Sequence, residues 1–229
     1  MAAVASSYLI RPMTIADIPQ VTEIERESFP TMWPQTAYKR ELQSNNMARY
    51  LVVSDVIGDR NGARPGIAAP AQEAGSPLGG VITSFRRMLG REPAPIEVPP
   101  HEEQLVAFLG LWFMLEECHV VTVAVREARR RQGLGELLVI TAIELSLRKQ
   151  QDVLTLECRV SNTGAQALYE KYGFRNVGVR KRYYTDNNED AVVMTTPPIS
   201  TPDYMAMFDR LRARHHERRG PARVEHPEL

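Results

Sequence analysis

Fourteen of the 47 residues between Gly58 and Gln104 are glycine or proline, seven of each. Glycine raises the entropy lost on ordering, and proline removes a backbone donor, so this density is incompatible with a regular packed element. Only Val81 to Leu89 carries enough apolar side chains to order locally. The stretch 58–104 reads as a flexible insertion, and the rest of the chain has to fold around it.

The last 30 residues, from Ser200, are also distinct, with six arginines and three of the five histidines. Met205, Phe208 and Leu211 fall at helical spacing, which predicts a short amphipathic helix within Tyr204–Arg214 followed by a frayed end. His215-His216-Glu217 has adjacent donors on that end and reads as a solvated basic face, not a metal site. The expected organisation is therefore one domain over 1–198, interrupted by 58–104, with a tail at 199–229.

The remaining 152 residues of the 229 are regular. Short apolar or alternating segments predict strands at Tyr8–Pro12, Arg49–Asp55, Leu105–Met114, His119–Val125, Val153–Val160, Arg175–Arg182 and Ala191–Thr196. Period-3.6 patterns predict helices at Thr14–Ser28, Pro34–Leu42, Leu134–Lys149 and Thr163–Tyr172, the last stopped by Gly173. The order βααβββαβαββ implies a mixed α/β (α+β) fold, a central and mostly antiparallel sheet flanked by helices.

Twenty-eight basic residues balance 28 acidic ones. That neutrality argues against a dedicated nucleic-acid binder. Two cysteines, Cys118 and Cys158, are too few for a disulfide framework. The first residues lack a basic, apolar leader, and the longest apolar run, Leu105–Leu115, is about half of a membrane span. A cytoplasmic protein without membrane association is the expectation.

The chemistry concentrates after the strand ending at Val125. Four arginines lie within Arg126–Arg131, then Gly133 and Gly135 lead into a helix. Glycines permit close backbone approach, and a helix N-terminus carries positive partial charge, so strand, basic glycine loop and helix together fit a pyrophosphate. The pattern lacks the third glycine of the dinucleotide fingerprint and the Gly-Lys-Ser/Thr of a P-loop. Glycines alone would better suit an ordinary surface turn; the strand before them and the helix after them reverse that reading.

Arg130-Arg131-Gln132-Gly133-Leu134-Gly135 resembles the acyl-coenzyme A loop of the GCN5-related N-acetyltransferases (GNAT superfamily). The likeness continues through Leu156–Asn162, Ala165, Leu168–Phe174, Tyr183-Tyr184, Glu189–Ala191 and Met194. Upstream it takes in Ile10–Met13, Ile24-Glu25, Phe29-Pro30 and Trp33. The series is similar to the RimI-type branch, whose members acetylate the N-terminal alanine of small-subunit ribosomal protein eighteen. It spans nearly all of the 152-residue core and leaves the insertion and tail unexplained.

The resemblance implies that acetyl-CoA is the co-substrate, that no metal takes part, and that Glu157 is the base and Tyr169 the acid. It implies contacts to the coenzyme from the backbone of Val123, Ala124 and Val125, where a bulge would free an N–H for the thioester oxygen. Arg130, Arg131, Gln132, Gly133, Leu134, Gly135, Glu136 and Asn162 complete that set. Phe29, Trp33, Tyr183 and Tyr184 would flank the peptide, and the partner would be a ribosomal-protein N-terminus met by a monomer or weak dimer. The chemistry is reasonable for these residue types: an α-amine, with a pKa of about 7.7–8, needs only a carboxylate to deprotonate it.

Each residue has a plainer reading. A strand glutamate can simply face water, and a helix tyrosine can anchor its helix. Asn162 can be an N-cap, and Phe29 and Trp33 can be satellite core. Cys118 and Cys158 read as buried small hydrophobes, since direct attack needs no covalent intermediate. The functional alternatives are a broader N-terminal or small-molecule amine acetyltransferase, or a non-catalytic acyl-CoA sensor.

Overall fold

The computed structural model describes residues 8–55 and 103–225. The insertion expected at 58–104 lies outside the described residues, apart from Glu103 and Gln104. The chain runs through β1 (Tyr8–Pro12), α1 (Ile18–Ser28), α2 (Gln35–Ser44), β2 (Ala48–Asp55), β3 (Gln104–Met114) and β4 (Glu117–Val125). It continues with α3 (Leu134–Arg148), β5 (Val153–Arg159), α4 (Thr163–Lys171), β6 (Arg175–Tyr184), β7 (Glu189–Thr195), α5 (Pro202–Arg219) and β8 (Arg223–Val224). The expected order is present, with two further elements at its end. Gln104, assigned to the insertion by its composition, opens β3.

The strands form one sheet, ordered β6-β7-β5-β4-β3-β2-β1-β8 among the described residues. Its pairings are antiparallel except β4 with β5 and β1 with β8. Alternation sorts the side chains onto two faces. Tyr50 and Val52 join Ile18, Val21, Ile24 and Tyr38 beneath α1 and α2. Leu51, Val53, Leu154, Leu156 and Cys158 face the other way, onto α3.

Helix α3 explains why the domain needs its tail. Leu134, Leu137, Leu138, Val139, Ile140, Ala142, Ile143 and Leu145 are all buried, an apolar surface running round the whole helix. One sheet face cannot cover such a helix, so a second layer is required. Helix α5 supplies it with Tyr204 and Phe208, both buried in the same cluster as α3. The Tyr204 hydroxyl donates to the carbonyl of Tyr172 at 2.9 Å, and Arg212 reaches Glu144 at 3.1 Å. Beyond α5, β8 pairs in parallel with Leu9 and Ile10 and covers the open edge of β1.

The tail thus corrects the reading of a short helix with a frayed end. The helix extends to Arg219, and His215, expected on a solvated face, is 3% exposed. Arg210, Arg214 and Arg218 are exposed, while Tyr204, Phe208 and His215 are buried. Local composition registered the first set and missed the second.

Candidate active site

Strands β4 and β5 are hydrogen-bonded neighbours over a short stretch only, Glu117–His119 against Val153–Thr155. Farther along, β4 stays with β3 and β5 stays with β7, so the two strands separate. The cause is local. Gly110 of β3 pairs with Thr122 while Leu111 pairs with Val120, which leaves Val121 as an extra residue in β4. A bulge bends and twists its strand, here just where β4 leaves β5. It also shifts the alternation: Cys118 and Val120 face α3 before it, Val123 and Val125 after it. The bulge expected at 123–125 therefore lies two residues earlier.

Gly110 is required opposite the bulge. A Cβ there would lie 2.6 Å from the Tyr50 ring and 2.9 Å from the Thr122 methyl. The parting of the strands leaves the β5-side backbone groups of Val123, Ala124 and Val125 without a β5 ladder. Ala124 is buried, and the other two are half-buried against the α3-face core.

Past Val125 the chain makes a single 3₁₀ turn, Glu127–Arg129, and two residues with left-handed backbone, Arg131 at φ 62° and Gly133 at φ 89°. Gly133 is the N-cap residue of α3. The first N–H groups of α3, on Leu134, Gly135 and Glu136, have no carbonyl within the helix to bond and are the natural anion donors of the loop.

The arginines divide unequally. Arg126 is clamped by Glu23 at 3.0 Å and Glu27 at 2.8 Å, both on α1, and Arg129 pairs with Asp55 at 2.6 Å. Their charge is neutralised, so only two of the four arginines counted at this loop remain without a carboxylate partner among the described residues. Arg130 donates to the carbonyls of Glu27 and Val125 and keeps its charge. Arg131 is exposed and makes no ion pair among the described residues. Gln132 donates to the Ala128 carbonyl and accepts from the Tyr8 hydroxyl, which braces the loop from inside. Glu136, expected at the coenzyme, is bonded to Lys171 and to the Tyr172 hydroxyl, so it ties the start of α3 to the end of α4.

Glu157 sits on β5 where the gap opens. It alternates with Leu156 and Cys158, which face α3, so its side chain lies on the α1–α2 face. The carboxylate is 6% exposed, with Oε2 3.2 Å from His119 Nε2 and Oε1 3.0 Å from Arg180. His119 also lies against Trp112, ring centroids 6.4 Å apart. Neither His119 nor Arg180 was singled out by sequence. A histidine inside the apolar run of β4 was the available signal for the first; the second has none, because β6 is polar along its length.

Tyr169 approaches from the other face. It is half-buried on α4, packs on Phe174 at 5.6 Å between centroids, and joins the α3-face core. Burial first, then the neighbouring Cys158 and Tyr184, push its phenol well above the usual range, so it holds its proton. Asn162 caps α4, its Oδ1 accepting from the N–H of Ala165 at 3.1 Å. Cys118 and Cys158 are buried, and burial pushes their thiols up to about 12 and about 11.

The β6–β7 hairpin is held over the end of β5 by Arg159. Its guanidinium bonds Asp186 and Glu189 and lies 3.9 Å from the Tyr184 ring centroid. Hydrogen bonds from Ser161, then Arg159, lower the Glu189 carboxyl to about 2. Tyr183 packs edge-on against Tyr184 at 5.2 Å, with Arg180 5.5 Å from its ring, and stays 43% exposed. On the α1–α2 side, Trp33 is half-exposed, packs at a 43° tilt against Tyr38 with ring centroids 5.8 Å apart, and donates its backbone N–H to Glu25 at 3.0 Å. Phe29 packs on the core beneath α1 and α2.

Glu157 thus lies on one face of the parted sheet and Tyr169 on the other, with the loop following directly from β4. Among the described residues no three metal-ligating side chains cluster, and no helix is long and apolar enough to cross a membrane.

The acetyltransferase (GNAT) family model matches residues 70–174. The chain is 31% identical over 185 residues to a putative [ribosomal protein bS18]-alanine N-acetyltransferase of Bacillus subtilis, covering 81% of this chain and 92% of the relative. It is 38% identical over 96 residues to the [ribosomal protein bS18]-alanine N-acetyltransferase of Escherichia coli, 41% of this chain and 65% of that one. The crystal structure of the ribosomal-protein-S18-alanine N-acetyltransferase from Escherichia coli shares the fold at a TM-score of 0.57 and 22% identity, over 83% of this chain and 94% of that one. With a relative this similar across most of both chains, and with a mixed sheet parted between β4 and β5, the chain belongs to the acetyltransferase (GNAT) family of acyltransferases.

Proposed function

We propose that the protein transfers the acetyl group of acetyl-CoA to the N-terminal α-amine of a protein, with an alanine-initiated ribosomal protein, small-subunit protein eighteen, as the substrate. The observation that carries this reading is the opening between β4 and β5, with Glu157 on one face and Tyr169 on the other. An acyl transfer needs a path through which the thioester and the amine meet, and separate groups to remove and return a proton.

In this reading the loop from Arg130 to Gly135 and the first N–H groups of α3 bind the pyrophosphate, with Arg130 and Arg131 adding charge. The free backbone edge of Val123–Val125 pairs with the pantetheine arm. Asn162, at the start of α4, faces the same arm. The amine enters on the α1–α2 face, between Trp33 and Phe29 on one side and Tyr183 and Tyr184 on the other.

Glu157, directly or through water, takes a proton from the ammonium form. The neutral amine then attacks the thioester carbonyl, a C–N bond forms, the C–S bond breaks, and the Tyr169 hydroxyl protonates the departing thiolate. An α-amine suits this site because it is neutral in useful amount near pH 7, whereas a lysine with a pKa of about 10.4 is not.

The test is product formation from acetyl-CoA with a short Ala-initiated peptide, compared with free lysine and a polyamine. Acetylation of the peptide alone is expected. Product from the small amines and none from the peptide would overturn the assignment.

A further inference from the structure

Helix α5 does more than cover α3: its last turns meet the N-cap of α3 directly. His215 is 3% exposed, and its Nε2 lies 3.2 Å from the carbonyl oxygen of Gly133. Its Nδ1 is buried without a hydrogen-bond partner. That pattern selects one tautomer. A proton on Nδ1 would be a buried donor with no acceptor and would turn a bare Nε2 lone pair toward a carbonyl; a proton on Nε2 avoids both. His215 therefore donates from Nε2 to Gly133. Burial holds the ring below the ordinary histidine pKa, aided by His216 and Lys171 and opposed by the Gly133 carbonyl and Glu136, which keeps it neutral near pH 7.

The bond acts on the peptide plane between Gly133 and Leu134. A trans peptide points its carbonyl and its N–H in opposite directions. The Gly133 carbonyl also accepts the N–H of Leu137 at 2.9 Å, so it is gripped from two sides. Fixing that carbonyl toward α5 and along α3 aims the Leu134 N–H the other way, out of the helix N-terminus. The loop has reason to need such a grip, because Arg131, a non-glycine residue two positions before Gly133, holds a left-handed backbone conformation, which persists only when neighbours over-determine it. Arg219 closes the same corner: its Nε would stand 3.2 Å from a Cβ at Gly133.

We propose that His215 of the C-terminal helix is a positioning residue for acyl-CoA, pinning the Gly133 carbonyl so that the Leu134 N–H is pre-aimed at the pyrophosphate. The proposal rests on the reading of this loop as the acetyl-CoA site. By reciprocity, coenzyme seated on the loop should steady the end of α5.

The experiment compares H215F, which keeps an aromatic ring and removes the donor, with H215Q, whose amide N–H sits near the position of Nε2. Full-length protein is used, with CoA binding measured by calorimetry and steady-state kinetics run in both substrates. H215F should raise the KM for acetyl-CoA and the Kd for CoA by about two- to tenfold, the worth of one hydrogen bond. At saturating coenzyme kcat should change little, the peptide KM should hold, and H215Q should recover most of the loss. CoA should slow amide exchange in residues 211–219 of the unmodified protein and do so less in H215F.

A folded H215F with unchanged Kd would overturn the proposal. So would equal losses in H215F and H215Q that follow their melting temperatures. If H215F does not fold, H215Q against the shorter H215N decides: tighter binding by H215Q supports it and equal binding rejects it. An unmodified protein that binds no CoA would instead reject the acetyl-CoA reading itself.

Discussion

Glu157 Oε2 lies 3.2 Å from His119 Nε2, across the end of the short ladder that joins β4 to β5. The paired strands bring these two side chains together, and the separation of those strands begins with the next residues. The contact therefore marks where the sheet opens, and with Arg180 it holds a nearly buried carboxylate in one orientation.

Glu157→Gln keeps the shape and removes the proposed base. Turnover should fall by about 10²–10⁴-fold, while CoA affinity stays near that of the unmodified protein. Rate and calorimetry on the same preparation check both halves, and undiminished turnover would exclude Glu157 as the base.

Tyr169→Phe should lower kcat by about 10²-fold or more with little change in either KM, because the ring still packs on Phe174 and only the hydroxyl is lost. Burial keeps that phenol protonated well past its ordinary range, so the kcat profile should show no loss assignable to Tyr169 between pH 7 and about 10.

Gly133→Ala adds a Cβ at φ 89°, within 3.3 Å of both Arg219 and His215. The left-handed backbone alone costs roughly 1–2 kcal/mol. For a domain of this size, that lowers the melting temperature by some 2–8 °C. Calorimetric melting measures it, and an unchanged Tm would show that the loop relaxes freely.

Phe208→Ala tests whether the tail belongs to the core. The side chain is fully buried between α5 and the α3 layer, so its loss should cost about 3–5 kcal/mol in denaturant unfolding. A change below 1 kcal/mol, on the order of a surface substitution, would mean that α5 is dispensable.

His215 also makes a pH-dependent contribution with a definite sign. Its folded-state pKa lies below the unfolded value of about 6.5, so the unfolded chain binds the extra proton first. Its share of stability is full above that value and is lost as pH falls through the window below it. The stability difference between the unmodified protein and H215Q should shrink from pH 7 toward pH 5; a constant difference would show that His215 is not the titrating group.

Much of the fold was legible in local pattern. The strand and helix periods of the core gave the element order, and the layout of strand, glycine loop and helix from Val125 into α3 could be read from Arg126–Gly135, though the left-handed turn at Arg131 could not. Even the need for a second layer was present, since apolar residues surround α3 and no single sheet face could bury them all. The tail itself was misjudged because its arginines dominate the composition, while three inward side chains, Tyr204, Phe208 and His215, dominate its energetics.

By itself, then, the sequence determined the order of the elements and the chemical character of the loop. Both follow from residues that are neighbours along the chain, where periodicity and backbone preference act. Tertiary structure decided which arginines keep their charge, where the bulge falls, that His119 and Arg180 share one carboxylate, and that the last helix grips the Gly133 carbonyl. Those outcomes depend on pairing between strands and on charges brought together from distant parts of the chain: Arg126 is neutralised by Glu23 and Glu27 only because α1 packs beside the loop.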